Sequence, residues 1–562
     1  MSRKISNRGW VLILVAVMLV WFSNLEVRKL VRPDEGRYAE IPREMVASGD
    51  WLTPRLNGLK YFEKPALQYW ATAAAYEAFG EHHWTSRLWT ALTGLFGVLC
   101  VIYTGWRLFG REAGIYAGMV LGSSLLYAGM AHVDTLDMGV TAFMGATLCA
   151  FLLAQRDGAS PHETRNWMWA AWAAMGLAVL SKGLQGVVLP GAVLVLYLLA
   201  NRDFALWKRL HPASGIAVFL AVTAPWFVAV SLANPEFFQF FFIHEHFERF
   251  LTKSHHRYQP WWYFIPILAA GLLPWLFVAL DALARAWRKP QRERSDAPRF
   301  EASNLLFIWS LFIFVFFSAS GSKLPSYILP IFPALALLAG EHLTLVPARR
   351  LAWLAGPVML VAAAGLAIAP FLARFASDEV PPALFVDYAP WLIFASVLLG
   401  AGLVCALLID RTGRRDFAVL ALAAGGLGFA QLVLTGHDSF APSQSSYHLV
   451  ERAKPELALL NLLDRPELPF YSVGFYEQTL PFYIKRTVTL VAHQDELEFG
   501  IAQEPGKFIA TVEEFQRRWR ADREALAIMQ PERYRELAAA GLPMTLIAQD
   551  TRRVIVVKPR SP

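Results

Sequence analysis

The sequence predicts a polytopic α-helical membrane protein carrying a small α/β domain at its C-terminal end. Three observations predict it. The 562 residues are 56% hydrophobic and only 17% charged, against about 25% charged in an ordinary soluble domain. Long uncharged runs recur along the first 436 residues, where about 20 apolar residues suffice to cross a bilayer. Beyond residue 436 the runs shorten and begin to alternate in character.

The N-terminus reads Arg3, Lys4, Arg8 and then an apolar run to Phe22. No small-x-small cleavage site follows, so an uncleaved first span is expected rather than a removed leader. Further candidate spans lie at 87–106, 112–131, 136–155, 167–181, 183–200, 212–232, 261–284, 303–319, 325–343, 351–373, 388–409 and 416–435, making thirteen in all. Pro65–Phe79 is short and carries Gln68 and Glu77. It predicts an interfacial helix anchored by Tyr69, Trp70 and Tyr76 rather than a span. With that assignment every second loop is basic: Arg107 and Arg111; Arg156 and Arg165; Arg202, Lys208 and Arg209; six cations between Arg285 and Arg299; Arg349 and Arg350; Arg411, Arg414 and Arg415. Such loops remain in the cytoplasm. Were Pro65–Phe79 to span, all of them would face outward. The expected domains are therefore a membrane domain, 1–436, with its first outer loop at 24–86, and an outward α/β domain, 437–562. In that second domain "LPFYSV", "TVTLVA", "KFIATV", "MTLIAQ" and "RVIVVK" read as strands, and "VEEFQRRWRADREA" and "PERYRELAAAG" as helices.

Composition excludes several classes. The three cysteines, Cys100, Cys149 and Cys405, sit in apolar runs and build no disulfide framework. No P-loop, no GxGxxG after a strand and no GxSxG occurs. The net charge of +7 resides in membrane-flanking loops, so nucleic acid is not an expected partner.

The unusual polar residues all sort to the outer face. They occur in "RPDEGRYAEIPREM" and "YFEKPALQYW" of the first loop, in "AHVDTLDM" with His132, Asp134 and Asp137, and at Lys182. They continue in "FFIHEHFERFLTKSHHRYQPWW" and in "SGSKLPSYILP" with Lys323 and Tyr327. Ionisable groups at the edge of hydrocarbon line cavities or pathways. Each has a plainer explanation. Asp34 could be the N-cap of a helix through Met45, Arg249 could snorkel, and Lys323 could sit at a helix C-terminus. His244 and His246 are two apart and would diverge on a helix, and Glu63–Lys64 could be a solvated pair. Five separate loops on one face are not explained that way. Cations beside a lipid-facing cavity suit a phosphorylated lipid, and a carboxylate among them suits a base or a group that orients a sugar.

"DEGRYAEIPREMVASGDWLTPRLNGLKYFEKPALQYW" after a first span resembles the first outer loop of GT-C class membrane glycosyltransferases. "EHFERF", "RYQPWWYFIPILAAGLLPW" and "SGSKLPSYILPIFPALALL" resemble the bacterial aminoarabinose transferases among them. The resemblance covers roughly residues 10–345. It implies transfer of 4-amino-4-deoxy-L-arabinose from undecaprenyl phosphate to a lipid A phosphate, thirteen spans, a periplasmic active site in the inner membrane, and a less anionic outer membrane that resists polymyxin. Donor, acceptor and surrounding lipids are the implied partners of a monomer. Carried over by position, Asp34 is the acidic residue at the catalytic centre, with Lys64, Asp137 and Arg249. Arg37, Tyr38, Tyr61, Lys182, His246, Lys323 and Tyr327 line the carrier-phosphate and sugar site. No cofactor is obligatory, although members of the family can hold a metal near Glu63 and His244, and zinc accepts such O and N ligands. Two rivals remain. One is a GT-C transferase moving another sugar to a protein hydroxyl or a different lipid. The other is a lipid transporter, against which the odd span number and one-sided polar residues count.

Overall fold

The structure is a computed structural model and describes residues 7–248, 259–288, 300–460, 462 and 465–559. Ten helices make up the first part: α1 (Asn7–Phe22), α2 (Asp34–Ser48), α3 (Leu67–Phe79), α4 (His83–Phe109), α5 (Arg111–Ser123), α6 (Leu125–Met130), α7 (Leu136–Gln155), α8 (Pro161–Lys182), α9 (Gln185–Asn201) and α10 (Pro212–Ala233). Helices over Ala302–Ala319, Phe332–Leu345, Pro382–Asp410 and Arg415–Gly436 follow, among shorter ones.

Every predicted span is helical. Among the described residues eight helices are long and apolar enough to cross a membrane, and a ninth if a bent pair counts as one. The remaining predicted spans are the short α1 and α9, the interrupted α5–α6, and α8, whose first turns are charged. Two spans expected to be continuous are not. The run 112–131 breaks at Ser124, whose backbone is extended. The run 261–284 turns through 115° between its two halves, around Leu273 and Pro274, a residue with no N–H to continue the helical ladder.

The first loop folds into α2, a hairpin of β1 (Arg55–Leu56) and β2 (Leu59–Lys60), and α3. The anchoring expected of α3 is corrected: Tyr69 and Tyr76 are buried in protein, at 0% and 3% exposure. Tyr69 stacks with Tyr38, and the Tyr76 hydroxyl bonds Ala39 and Ser86. Trp70, half-buried, donates to the Trp51 carbonyl. Thus α3 is the packing bed for α2.

Beyond Gly436 the chain forms a six-stranded sheet of β3 (Phe470–Val473), β4 (Thr489–Val491), β5 (Phe508–Ile509), β6 (Leu526–Met529), β7 (Thr545–Gln549) and β8 (Val554–Val557), ordered β5-β4-β3-β6-β8-β7. Strands β3 to β6 pair in parallel, and β8 runs antiparallel to β6 and β7. Four of its inner strands, β3, β4, β6 and β8, are nearly continuous apolar runs, as strands covered on both faces must be. The sheet packs one face on Phe515 and Trp519. The other shares a core with Tyr38, Ile41, Leu56 and Leu59 of the first loop.

Candidate active site

The site starts at the N-terminus of α2. Its cap position is Pro33, with no side-chain cap, and Asp34 is the first helical residue. The capping role is therefore not the one Asp34 fills. Asp34 and Glu35 place two carboxylates in a first turn, where the helix dipole favours negative charge, but their surroundings differ completely. Asp34 is 40% exposed in its side chain. Glu35 is fully buried and clasped by Arg87, Nε to Oε1 at 2.7 Å and Nη2 to Oε2 at 2.8 Å. Burial pushes the Glu35 carboxyl up, and Arg87, Arg28 and the Asp134 N–H together more than offset this, bringing it to about 2. Glu35 also accepts the backbone N–H groups of Val31 and Asp134. It holds α2 to α4 and to the turn before α7.

One turn of chain further on, Arg37 lies 3.8 Å from Asp34 and donates to the Tyr61 hydroxyl at 3.2 Å. It also forms an ion pair with Glu496 of the C-terminal domain. Tyr38 is buried beneath it, with the guanidinium 5.6 Å from the ring centroid, so Tyr38 acts here as packing. Burial pushes the Tyr38 and Tyr61 hydroxyls well up, and both remain protonated. Glu63 adds its charge to this group, acting on Arg37 and Tyr61. Lys64 is half-buried and donates to the Glu63 carbonyl at 2.8 Å.

A second group comes from α7, α8 and the turn before Phe332. Lys182 at the end of α8 donates to Asp137 in the first turn of α7, and its ammonium lies 5.1 Å from the Tyr327 ring. Asp134 stands behind them, fully buried, accepting from Gln68 at 2.7 Å. Burial and Glu35 push its carboxyl well above the usual range.

Two outward residues turn inward. His132 is fully buried, its ring bonded to the Ala128 and Trp21 carbonyls. Lys323 donates to the carbonyls of Gln259 and Ser320, the second being the C-cap of Ala302–Ala319, which is the plainer role foreseen for it. Arg249 lies outside the described residues. His244 and His246 fall on the helix Gln239–Glu248, and their side chains lie outside the description. Among the described residues no three His, Cys, Asp or Glu side chains gather as a metal site. Of the two candidate ligands only Glu63 is therefore placed, beside Arg37 and Tyr61.

Arg87 and Glu496 were not foreseen. Arg87 stands at the edge of an apolar run, where an arginine demands a partner, and that signal was available. Glu496 carries none, because its role depends on how a distant domain docks.

Residues 459–558 match the family model described as aminoarabinose transferase C-terminal domain, and residues 63–228 that of dolichyl-phosphate-mannose-protein mannosyltransferase. An undecaprenyl phosphate-alpha-4-amino-4-deoxy-L-arabinose arabinosyl transferase of Aeromonas salmonicida is 32% identical over 68% of this chain and 71% of its own length. This chain belongs to the aminoarabinose transferase family. A family member of the same description from Erwinia tasmaniensis is 33% identical, over 58% of this chain and 57% of its own length. The alignment thus spans under two thirds of that relative. Structural agreement within the family runs end to end. The crystal structure of ArnT from Cupriavidus metallidurans bound to undecaprenyl phosphate is 40% identical with a TM-score of 0.92, covering 99% of this chain and 100% of that one. The archaeal oligosaccharyltransferase AglB of Archaeoglobus fulgidus shares the GT-C fold alone, at 12% identity and a TM-score of 0.51, over 94% of this chain and 70% of that one.

Proposed function

We propose that this protein transfers 4-amino-4-deoxy-L-arabinose from undecaprenyl phosphate to a phosphate of lipid A, at the periplasmic face of the inner membrane. The observation that carries the proposal is the first turn of α2, where an exposed Asp34 stands beside an Arg37 already tied to Tyr61 and Glu496. Family relatives named as undecaprenyl phosphate-alpha-4-amino-4-deoxy-L-arabinose arabinosyl transferases support the donor and the sugar, as does one whose structure contains undecaprenyl phosphate. The basic alternate loops support the periplasmic orientation.

In this reaction a lipid A phosphate oxygen attacks the anomeric carbon. A new carbon–oxygen bond forms, the bond to the carrier phosphate breaks, and its electron pair leaves with undecaprenyl phosphate. A phosphate monoester carries about 1.5 to 2 negative charges near neutral pH and needs no base. Asp34 therefore orients the sugar and stabilises positive charge developing at the anomeric centre. Lys64 and Arg249 neutralise the leaving and accepting phosphates, which otherwise repel each other, through charge placed before the reaction. Arg37 and Tyr61 present the carrier phosphate with donors, Tyr38 supports Arg37 from below, and Lys182, His246 and Tyr327 serve the sugar side, while Lys323 stays bound to helix-end carbonyls. Asp137 holds Lys182 in place. A divalent ion such as zinc at Glu63 and His244, an O and N pair it accepts, would add positive charge near the carrier.

The test is incubation of the purified protein with defined polyprenyl-phosphate sugars and lipid A, read by mass spectrometry. Lipid A gaining one aminoarabinose per modified phosphate is expected. Lipid A unchanged by the aminoarabinose donor, or modified by a different sugar, overturns the proposal.

A further inference from the structure

One segment of the first loop is built for something other than the reaction. Strands β1 and β2 have two residues each, joined by Asn57 and Gly58 at φ 55° and 74°. This left-handed pair is what a two-residue I′ hairpin turn requires. A lone two-stranded hairpin is at best marginal in water, so this one is held from outside. From α2, Glu44 accepts the Gly58 N–H at 2.8 Å. The C-terminal domain grips the tip. The Asn57 amide donates to the Val488 carbonyl and accepts the Val488 N–H, both at 2.8 Å. Arg55 reaches both Glu504 oxygens at 3.1 and 2.9 Å, and Glu504 also accepts the Lys60 N–H. Gly500 presses so close that a Cβ there would stand 2.7 Å from the Lys60 carbonyl oxygen. From Lys60 the chain runs directly into Tyr61, Phe62, Glu63 and Lys64, and the Tyr61 N–H is fixed by the Pro54 carbonyl at 2.9 Å.

We infer that the C-terminal domain sets the position of Tyr61 and Lys64 through this hairpin tip, with Asn57 as the positioning residue. The inference rests on the proposed function in taking these two residues as carrier-phosphate ligands. The Asn57 side chain is 5% exposed and pairs with both the backbone N–H and the carbonyl of Val488, as a neighbouring strand would. That fixes the tip in direction as well as distance. Tyr61 follows this pin by only four positions and Lys64 by seven. A displacement of about 1 Å in a positioning element is worth on the order of a hundredfold in rate.

The experiment uses the full-length protein in detergent. Asn57→Asp keeps the left-handed turn, which Asp also tolerates, and sets a carboxylate oxygen against the Val488 carbonyl. Gly500→Ala pushes Lys60 from the domain side and leaves Asn57 intact. In each variant kcat and KM for the donor are measured, together with direct binding of undecaprenyl phosphate. Both variants are expected to raise donor KM by about tenfold or more and to weaken undecaprenyl phosphate binding in parallel, as misplaced ligands do. A merely structural role lowers the active fraction instead, reducing kcat and binding stoichiometry at unchanged KM and Kd. That result, or wild-type values in whichever variant folds, overturns the inference. Failure of the wild type to turn over the donor would refute the proposed function, and undecaprenyl phosphate binding would still decide between the variants.

Discussion

Replacing Arg87 by Met isolates the interaction that holds α2 in place. The arginine side chain and that of Glu35 are both 0% exposed. Besides the two bonds to Glu35, Arg87 donates to the carbonyls of Leu25 at 2.8 Å, Arg28 at 2.7 Å and Lys29 at 3.0 Å. It thereby ties the chain leaving α1 to the start of α2. Removing one partner of a buried pair costs about 3–5 kcal/mol because the other charge remains buried and uncompensated. Glu35 gives an independent figure. A carboxyl drawn from its ordinary 4.5 to about 2 contributes about 3 kcal/mol at neutral pH. Its folded value lies below its unfolded one, so this stability is fully present above pH 4.5 and is lost as pH falls toward 2. Thermal melting in detergent at pH 7 should show Arg87→Met destabilised by about 3–5 kcal/mol. The double variant Glu35→Gln/Arg87→Met should regain a substantial part of that loss, since no buried charge is left alone. Glu35→Gln by itself should retain turnover in its folded fraction. An Arg87→Met protein that melts with the wild type, or a double variant no more stable than it, would refute the assignment.

Asp34→Asn should lower kcat by about a hundredfold or more, as loss of a transition-state charge does, while undecaprenyl phosphate still binds; wild-type turnover would remove Asp34 from the mechanism. Lys64→Ala should lose more activity than Lys64→Arg in the same lipid assay, and equal losses would argue against a charge role. Burial and the neighbouring Glu40 push the Glu44 carboxyl up to about 8. Its contribution is fully present below its ordinary 4.5 and is lost as pH rises through 8, up to about 4 kcal/mol between pH 5 and pH 8. Melting temperatures of Glu44→Gln should therefore decline less over that range than those of the wild type, and an unchanged slope would contradict the burial argument.

The helical architecture was legible because lipid imposes length and apolarity on each span. The alternation of basic loops, which does not depend on any resemblance, bears on the orientation of those segments. The tail strands β3, β4, β5, β7 and β8 were legible from short apolar runs. β6, at the middle of the sheet, was not. "LAIM" follows the helix ending at Ala521 without a turn signal, so its apolar residues read as part of that neighbourhood. The hairpin was missed although Asn57-Gly58 is a strong turn signal, because its strands are too short to alternate. Among site residues, Asp34, Arg37 and Tyr61 converge as expected from one continuous motif. Asp137, Lys182 and Tyr327 form a second group whose meeting depends on helix packing, and the list of outward residues could not show which partners would be chosen. His132 and Lys323 share the chemistry of site residues, yet carbonyls at helix ends claim them, and only the packed structure distinguishes those outcomes.

The absence of any ligand-binding motif in the tail has a structural reason. In open parallel sheets ligands bind at the carboxyl ends of the strands, where the strand order reverses. Here the reversal lies at β3, which has β4 on one side and β6 on the other. The loop leaving β3 lies on α2 at Gly36, where a Cβ would stand 2.6 Å from the Gln478 carbonyl carbon and 2.7 Å from the Thr479 nitrogen. Any side chain at that position would lift the domain. The turn after β4 then carries Glu496 to Arg37. The edge that elsewhere receives a ligand receives α2 instead. The glycine between Glu35 and Arg37 is thus a docking requirement, and the "DEGR" motif encodes three things in four residues: an exposed carboxylate, a buried anchor to Arg87, and a seat for the domain that completes the site.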